Sequence, residues 1–168
     1  MKVGIISGTF DPVHAGHLAM AHLALNDLGL NEVWFLPERS PRNKQNVTGY
    51  IHRLNMLQLA TSHDNSIKIT ETEHSAHSLD TLRELKNNNE FYILVGADVV
   101  VNNWHQIDEI KKLARIVTFG RNGEDADLQF DHPASSKTIR EQIANNRQPD
   151  NLNQKVLDYI YEHNLYQS

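Results

Sequence analysis

His14 and His17 stand three residues apart, with Gly16 between them, in the run Gly8-Thr9-Phe10-Asp11-Pro12-Val13-His14-Ala15-Gly16-His17. Imidazoles can donate hydrogen bonds to phosphoryl oxygens, and a neighbouring glycine lets a ligand approach the backbone. The pair could also hold a metal, but i, i+3 spacing with no carboxylate at a matching distance is a weak signature for one. A second group lies far downstream, Ser135-Ser136-Lys137-Thr138-Ile139-Arg140. Two serines opening a helix leave its first N–H groups free, and Lys137 and Arg140 in the first turn oppose the helix dipole unless an anion sits there. Ordinary serine capping with outward-pointing cations would give the same pattern. Between the two groups lie Gly96-Ala97-Asp98 and Trp104-His105. Asp98 could hold a ribose hydroxyl or a hydrated cation, or simply cap a helix. The Trp104 indole could stack on a flat heterocycle, or pack as core.

These residues need elements to carry them. Val3–Ile6, Val33–Leu36, Ile67–Ile69, Phe91–Val95 and Ile116–Phe119 are short apolar, β-branched runs that read as buried strands. Leu18–Leu28, Tyr50–Ala60, Leu79–Leu85 and Ile107–Leu113 show helical spacing between them, and Ser136–Asn145 and Leu152–Asn164 close the chain as helices. Strand–helix alternation predicts a parallel sheet covered on both faces, with ligands at the carboxyl ends of its strands. Gly8–His17 then falls where a strand hands over to a helix, a favourable place for phosphate. Thr48 is the expected N-cap of the second helix. Asn122–Ala134 reads as irregular, with an acidic start at Glu124, Asp125 and Asp127. His22, His52, His63 and His163 fall in helical patterns and read as surface or packing residues.

Composition sets the limits. The 168 residues suit one domain, 1–168, and a net charge of −5 argues against a nucleic-acid binder. From Arg39 to His63 there is no acidic residue, while Arg39, Arg42, Lys44 and Arg53 all fall inside. That basic patch suits a small phosphorylated ligand, or is a solvated surface. The chain has no cysteine, which excludes disulfides and thiolate chemistry. No run is apolar enough to span a bilayer and no signal peptide is visible, so a cytoplasmic protein without membrane contact is expected. The phosphate motifs G-x-x-x-x-G-K-[ST] and G-x-G-x-x-G are missing, as is the nucleophile elbow G-x-S-x-G.

The order of these pieces resembles a known pattern. Gly8–His17 is similar to the signature of the nucleotidyltransferase superfamily that carries an H-x-G-H motif, and Ser135-Ser136-x-x-Ile139-Arg140 to its downstream phosphate motif. Within it the chain looks like the bacterial nicotinate-mononucleotide adenylyltransferase family. Pro41-Arg42-Asn43-Lys44, Arg53-Leu54-Asn55-Met56-Leu57, Ser78-Leu79-Asp80-Thr81-Leu82, Gly96-Ala97-Asp98, Trp104, Arg121-Asn122-Gly123 and the ending Val156–Tyr166 follow in family order. Lys137 stands where that family usually has threonine, and His77-Ser78 where it usually has Tyr-Thr. The resemblance implies a Rossmann-like doubly wound α/β fold of about five or six parallel strands with two C-terminal helices. It implies adenylyl transfer from ATP to nicotinate mononucleotide, with nicotinamide mononucleotide or phosphopantetheine as alternative acceptors. A nucleotide-binding module without activity is the reading from another class. Catalysis would rest on His14, His17, Lys44 and Arg140. ATP would meet Gly8, Thr9, Phe10, Gly16, Gly96, Asp98, Arg121, Ser135 and Ser136; the mononucleotide would meet Lys44, Ser78, Thr81 and Trp104. Mg²⁺ would arrive on the ATP phosphates, with no protein metal site, and a homo-oligomer is left open.

Overall fold

A computed structural model of the chain describes residues 1–41, 44–72, 79–85, 88–121 and 123–167. Its strands are β1 (Lys2–Gly8), β2 (Glu32–Pro37), β3 (Ile67–Ile69), β4 (Glu90–Gly96), β5 (Ala114–Gly120) and β6 (Leu128–Gln129). They form one sheet in the order β3-β2-β1-β4-β5-β6, and every pairing is parallel. The helices are α1 (Ala15–Asp27), α2 (Tyr50–Thr61), α3 (Leu79–Glu84), α4 (Ile107–Leu113), α5 (Ser136–Ala144) and α6 (Gln154–Glu162). A short 3₁₀ turn, Val101–Asn103, precedes α4. The five predicted strands and six predicted helices are all present, with ends moved by a few residues. β6 lies inside the stretch read as irregular. Its two residues carry no periodicity; pairing with Phe119 and Gly120 makes it a strand.

Burial follows from the pleat. Val3 and Ile5 of β1 join Phe91, Ile93, Val95 and Ile110 in one apolar cluster. Ile6 joins Phe35, Met56, Leu57, Val117, Ile139 and Ile160 in the other. Side chains of alternate residues point to opposite faces, so a parallel sheet covered on both sides needs two cores. Gly29 ends α1 at φ 60°, and the Leu30 N–H reaches the Leu25 carbonyl at 3.1 Å, a Schellman turn. Consecutive strands run outward from β1 in both directions: β2 and β3 on one side, β4, β5 and β6 on the other. The β1–β4 boundary is therefore a topological switch point, where a crevice opens beyond the strand ends.

Two local expectations are corrected. Thr48 does not cap α2; the N-cap position is Gly49, which makes no side-chain bond. Thr48 is drawn to the β1–α1 loop instead, its N–H donating to Asp11 Oδ2 at 3.2 Å. Nor is Arg53 part of a basic surface. Its relative exposure is 1 %. It donates to the carbonyls of Thr48 (2.9 Å), Thr9 (2.7 Å) and Glu38 (2.8 Å). Arg39 pairs with Glu71, which arrives from beyond α2. Of the patch's described cations, Lys44 is the one that reaches the crevice.

Candidate active site

The loop between β1 and α1 crosses the switch point. Phe10 takes a left-handed φ of 50°, uncommon for a residue with a Cβ. That turn buries its ring against Phe35 and sets it edge-on to His17, 5.0 Å between centroids. His17 is thus buttressed from below. Its ring also stacks on His14, with centroids 3.8 Å apart. The His14 N–H donates to His17 Nδ1 at 3.2 Å. A neutral imidazole that accepts at Nδ1 carries its proton on Nε2, so His17 Nε2–H is free to act as a donor. No such bond fixes His14, whose Nδ1 is buried without a partner. Gly16 lies directly under that ring: a Cβ there would come within 3.0 Å of His14 Nδ1 and 3.3 Å of His132 Nδ1.

Both imidazoles are neutral at pH 7. Burial pushes His14 down to about 4, helped by nearby His132 and Arg121. Burial pushes His17 down to about 3, helped by His14 and Lys44. Desolvation penalises the charged form of a base, and neighbouring cations add to it. Neutral imidazoles donate through N–H without repelling the lysine and arginine beside them.

Two clefts meet at His17 and Ser136. One, of about 290 Å³, is lined by His14, Gly16, His17, Arg121, His132 and Ser135, among others. The other, of about 490 Å³, is lined by Gly8, Thr9, Phe10, His17, Lys44 and Arg140, among others. Lys44 donates to Thr9 Oγ1 at 2.7 Å. The start of α5 is fastened to the loop twice: Ser136 Oγ donates to the Pro12 carbonyl at 2.9 Å, and Arg140 Nη1 to the Asp11 carbonyl at 2.6 Å. Ser135 is the N-cap of α5. Lys137, by contrast, is exposed and lies 3.8 Å from Glu141. A concave site lined by an ammonium, a guanidinium, helix N–H groups and imidazole donors can bind a polyphosphate.

His14, His17, Lys44, Arg140, Gly8, Thr9, Phe10, Gly16, Arg121, Ser135 and Ser136 are thus brought together around the two clefts. Gly96 and Asp98 lie at the end of β4 on the same rim but line neither. Trp104 is half-buried against the Val3–Ile5 face, and Thr81 is wholly buried on α3. Ser78 lies outside the described residues. Sequence reading passed over His132, whose Nδ1 accepts from the Ala134 N–H at 3.1 Å, and Asp11, which is buried within the loop. His132 sits three residues ahead of Ser135, and that proximity to the phosphate-like segment was its one signal. Among the described residues, no group of three or more His, Cys, Asp or Glu could hold a metal ion. None of their helices is long and apolar enough to cross a membrane.

A doubly wound parallel sheet with a phosphate-ready cleft at its switch point defines the class, a Rossmann-like nucleotide-binding fold. Residues 5–142 match the Cytidylyltransferase-like family. Nicotinate-nucleotide adenylyltransferase of Bacillus subtilis (strain 168) is 34% identical over 187 residues, spanning 99% of both chains. The probable nicotinate-nucleotide adenylyltransferase of Geobacillus thermodenitrificans is 39% identical, covering 98% of this chain and 86% of its own. The chain belongs to the cytidylyltransferase-like family, in its nicotinate-nucleotide adenylyltransferase branch. Its fold is shared with Plasmodium falciparum nicotinic acid mononucleotide adenylyltransferase, solved in complex with NaAD. The TM-score is 0.73 at 21% identity, over 98% of this chain and 97% of the other.

Proposed function

We propose that the protein transfers the adenylyl group of ATP to nicotinate mononucleotide, releasing pyrophosphate and forming deamido-NAD. The observation that carries this reading is the convergence of His17, Lys44, Ser136 and Arg140, from three separate segments, on one cleft at the switch point. Full-length similarity to nicotinate-nucleotide adenylyltransferases supports the acceptor.

An oxygen of the mononucleotide phosphate attacks the α-phosphorus of ATP. That P–O bond forms as the bond from the α-phosphorus to the bridging oxygen breaks, and pyrophosphate leaves. The nucleophile is already an anion, so no general base is needed. Catalysis reduces to holding two polyanions in line and stabilising charge on the transferring group. His17 donates to that group through Nε2–H, and His14 donates beside it. Lys44 supplies a point charge between the reactants. Arg140 spends one of its N–H groups on the Asp11 carbonyl. The rest of its fork is available to the β- and γ-phosphates. Backbone N–H groups at Ser135 and Ser136 hold the leaving pyrophosphate at the start of α5. Mg²⁺ would be carried in by ATP and would offset phosphate charge, with no protein residue assigned to hold it. Arg121 and Gly16 flank the nucleoside end of ATP, with Gly96 and Asp98 beyond on the rim, and the half-buried Trp104 is the candidate to stack on the pyridine ring. Both reactants are phosphorylated solutes, which a cytoplasmic protein would meet.

The test is pyrophosphate release from ATP with nicotinate mononucleotide, nicotinamide mononucleotide or phosphopantetheine as acceptor. The highest kcat/KM is expected with nicotinate mononucleotide. Release with phosphopantetheine alone would overturn the acceptor, and release with none of the three would overturn the transferase reading.

A further inference from the structure

Asp11 is an odd residue for a phosphate cleft. It lines the cleft that holds Lys44 and Arg140, yet its charge has the same sign as a triphosphate. Its relative exposure is 6 %, and both oxygens are turned to other partners. Oδ2 accepts from the Thr48 N–H at 3.2 Å, and Oδ1 accepts from the Tyr166 hydroxyl at 2.6 Å. Tyr166 lies 155 residues away, beyond the end of the last helix.

The tail is shaped to make that bond. Asn164 takes a left-handed φ of 52°, and the Leu165 N–H closes α6 on the Ile160 carbonyl at 2.9 Å, a Schellman turn. Tyr166 is then left-handed itself, at φ 61°. Such a backbone is unfavourable for a residue with a Cβ and persists when its surroundings hold it. The surroundings here are Asp11, Thr48 and Arg140. Burial, and then the bond to Asp11, raises the phenol's pKa far above its ordinary value, so the hydroxyl stays a donor at every working pH.

We infer that Tyr166 is a positioning residue: through the Asp11 carboxylate, its hydroxyl fixes the loop that presents His14 and His17 to phosphate. The inference rests on the proposed role of those histidines. Asp11 stands three residues before His14, and its own carbonyl takes Arg140. One buried residue thus links the tail, the loop and the start of α5. Without the phenol, Oδ1 is left buried and unpaired, and the loop moves to hydrate it. In-line transfer is sensitive to shifts of the order of 1 Å.

Tyr166→Phe keeps the ring and removes the bond. It should lower kcat about tenfold and leave KM for ATP within about twofold. The melting temperature should stay within a few degrees. Asp11→Asn weakens the same link from the other side by removing the acceptor's charge, so in the double variant the losses should not multiply. Unchanged kcat in Tyr166→Phe would overturn the proposal, and so would losses that multiply. A kcat loss matched by a collapse in melting temperature would also overturn it, because the tail would then be structural only. If Asp11→Asn does not fold, the split between kcat and KM in Tyr166→Phe decides alone. His17→Ala, assayed alongside, separates the two readings. Normal turnover there removes the histidines from the mechanism, and the tether's purpose with them. Lost turnover in His17→Ala with normal turnover in Tyr166→Phe overturns the tether alone.

Discussion

In the proposed reaction the imidazole pair would be kept uncharged until a ligand arrives. A triphosphate beside His14 and His17 favours their protonated forms, against the burial that now holds them at about 4 and about 3. Binding should therefore raise their pKa values, and protons are taken up once those values approach the pH of the solution. At pH 6, calorimetry of a non-hydrolysable ATP analogue in two buffers of different ionisation heat should show net proton uptake. His17→Asn should reduce it; no difference between the buffers would mean that the pair stays neutral in the complex. Turnover of His17→Ala should fall about a hundredfold, the usual cost of losing one donor at a developing charge. Near-normal turnover would assign that charge to Lys44 and Arg140 instead.

Among the elements, α2 contributes through its first turn. Arg53 has four N–H···O contacts, to carbonyls of the β1–α1 loop, of the segment after β2 and of its own approach. Those carbonyls belong to residues outside the strands and helices, beyond the reach of the sheet's own ladders. Arg53→Met should destabilise the fold by about 3 kcal/mol or more, since it strands several buried acceptors and removes one of the cations beside Asp11. Urea denaturation would read the change; a loss under about 1 kcal/mol would mean that water replaces the guanidinium. At the other end of the chain, α6 docks on α2 through Tyr159. The Asn55 amide donates to its hydroxyl at 2.9 Å, and His52 Nδ1 lies 2.9 Å from the same atom. That contact carries the tail towards the loop.

For the molecule as a whole, burying two neutral histidines links stability to pH. Both folded-state pKa values are depressed below the ordinary 6.5. Their contribution is complete above that pH and is lost as pH falls, because the unfolded chain binds protons that the folded one refuses. Stability should drop between about pH 6.5 and 4, by up to about 1.4 kcal/mol per pH unit for each imidazole. Denaturant titrations of the parent and of a His14→Asn/His17→Asn variant would test this. Equal slopes would mean that the pair is hydrated in solution. The acid sensitivity and the catalytic donors would thus have one source, a dry pocket at the switch point.

Spacing alone determined the alternation of strands and helices, because apolar periods of two and of three to four survive any arrangement of neighbours. It also marked the two phosphate-like segments, His14 to His17 and Ser135 to Arg140. Only the tertiary structure decided which cations face the cleft. Arg53 and Arg39 look like Lys44 in sequence, yet one is consumed by carbonyls and one by Glu71. Packing likewise made a strand of Leu128–Gln129, brought His132 under the loop and turned Asp11 towards Tyr166. Periodicity is a property of neighbours along the chain. The fate of a charge depends on partners as many as 155 residues away, which no local pattern encodes.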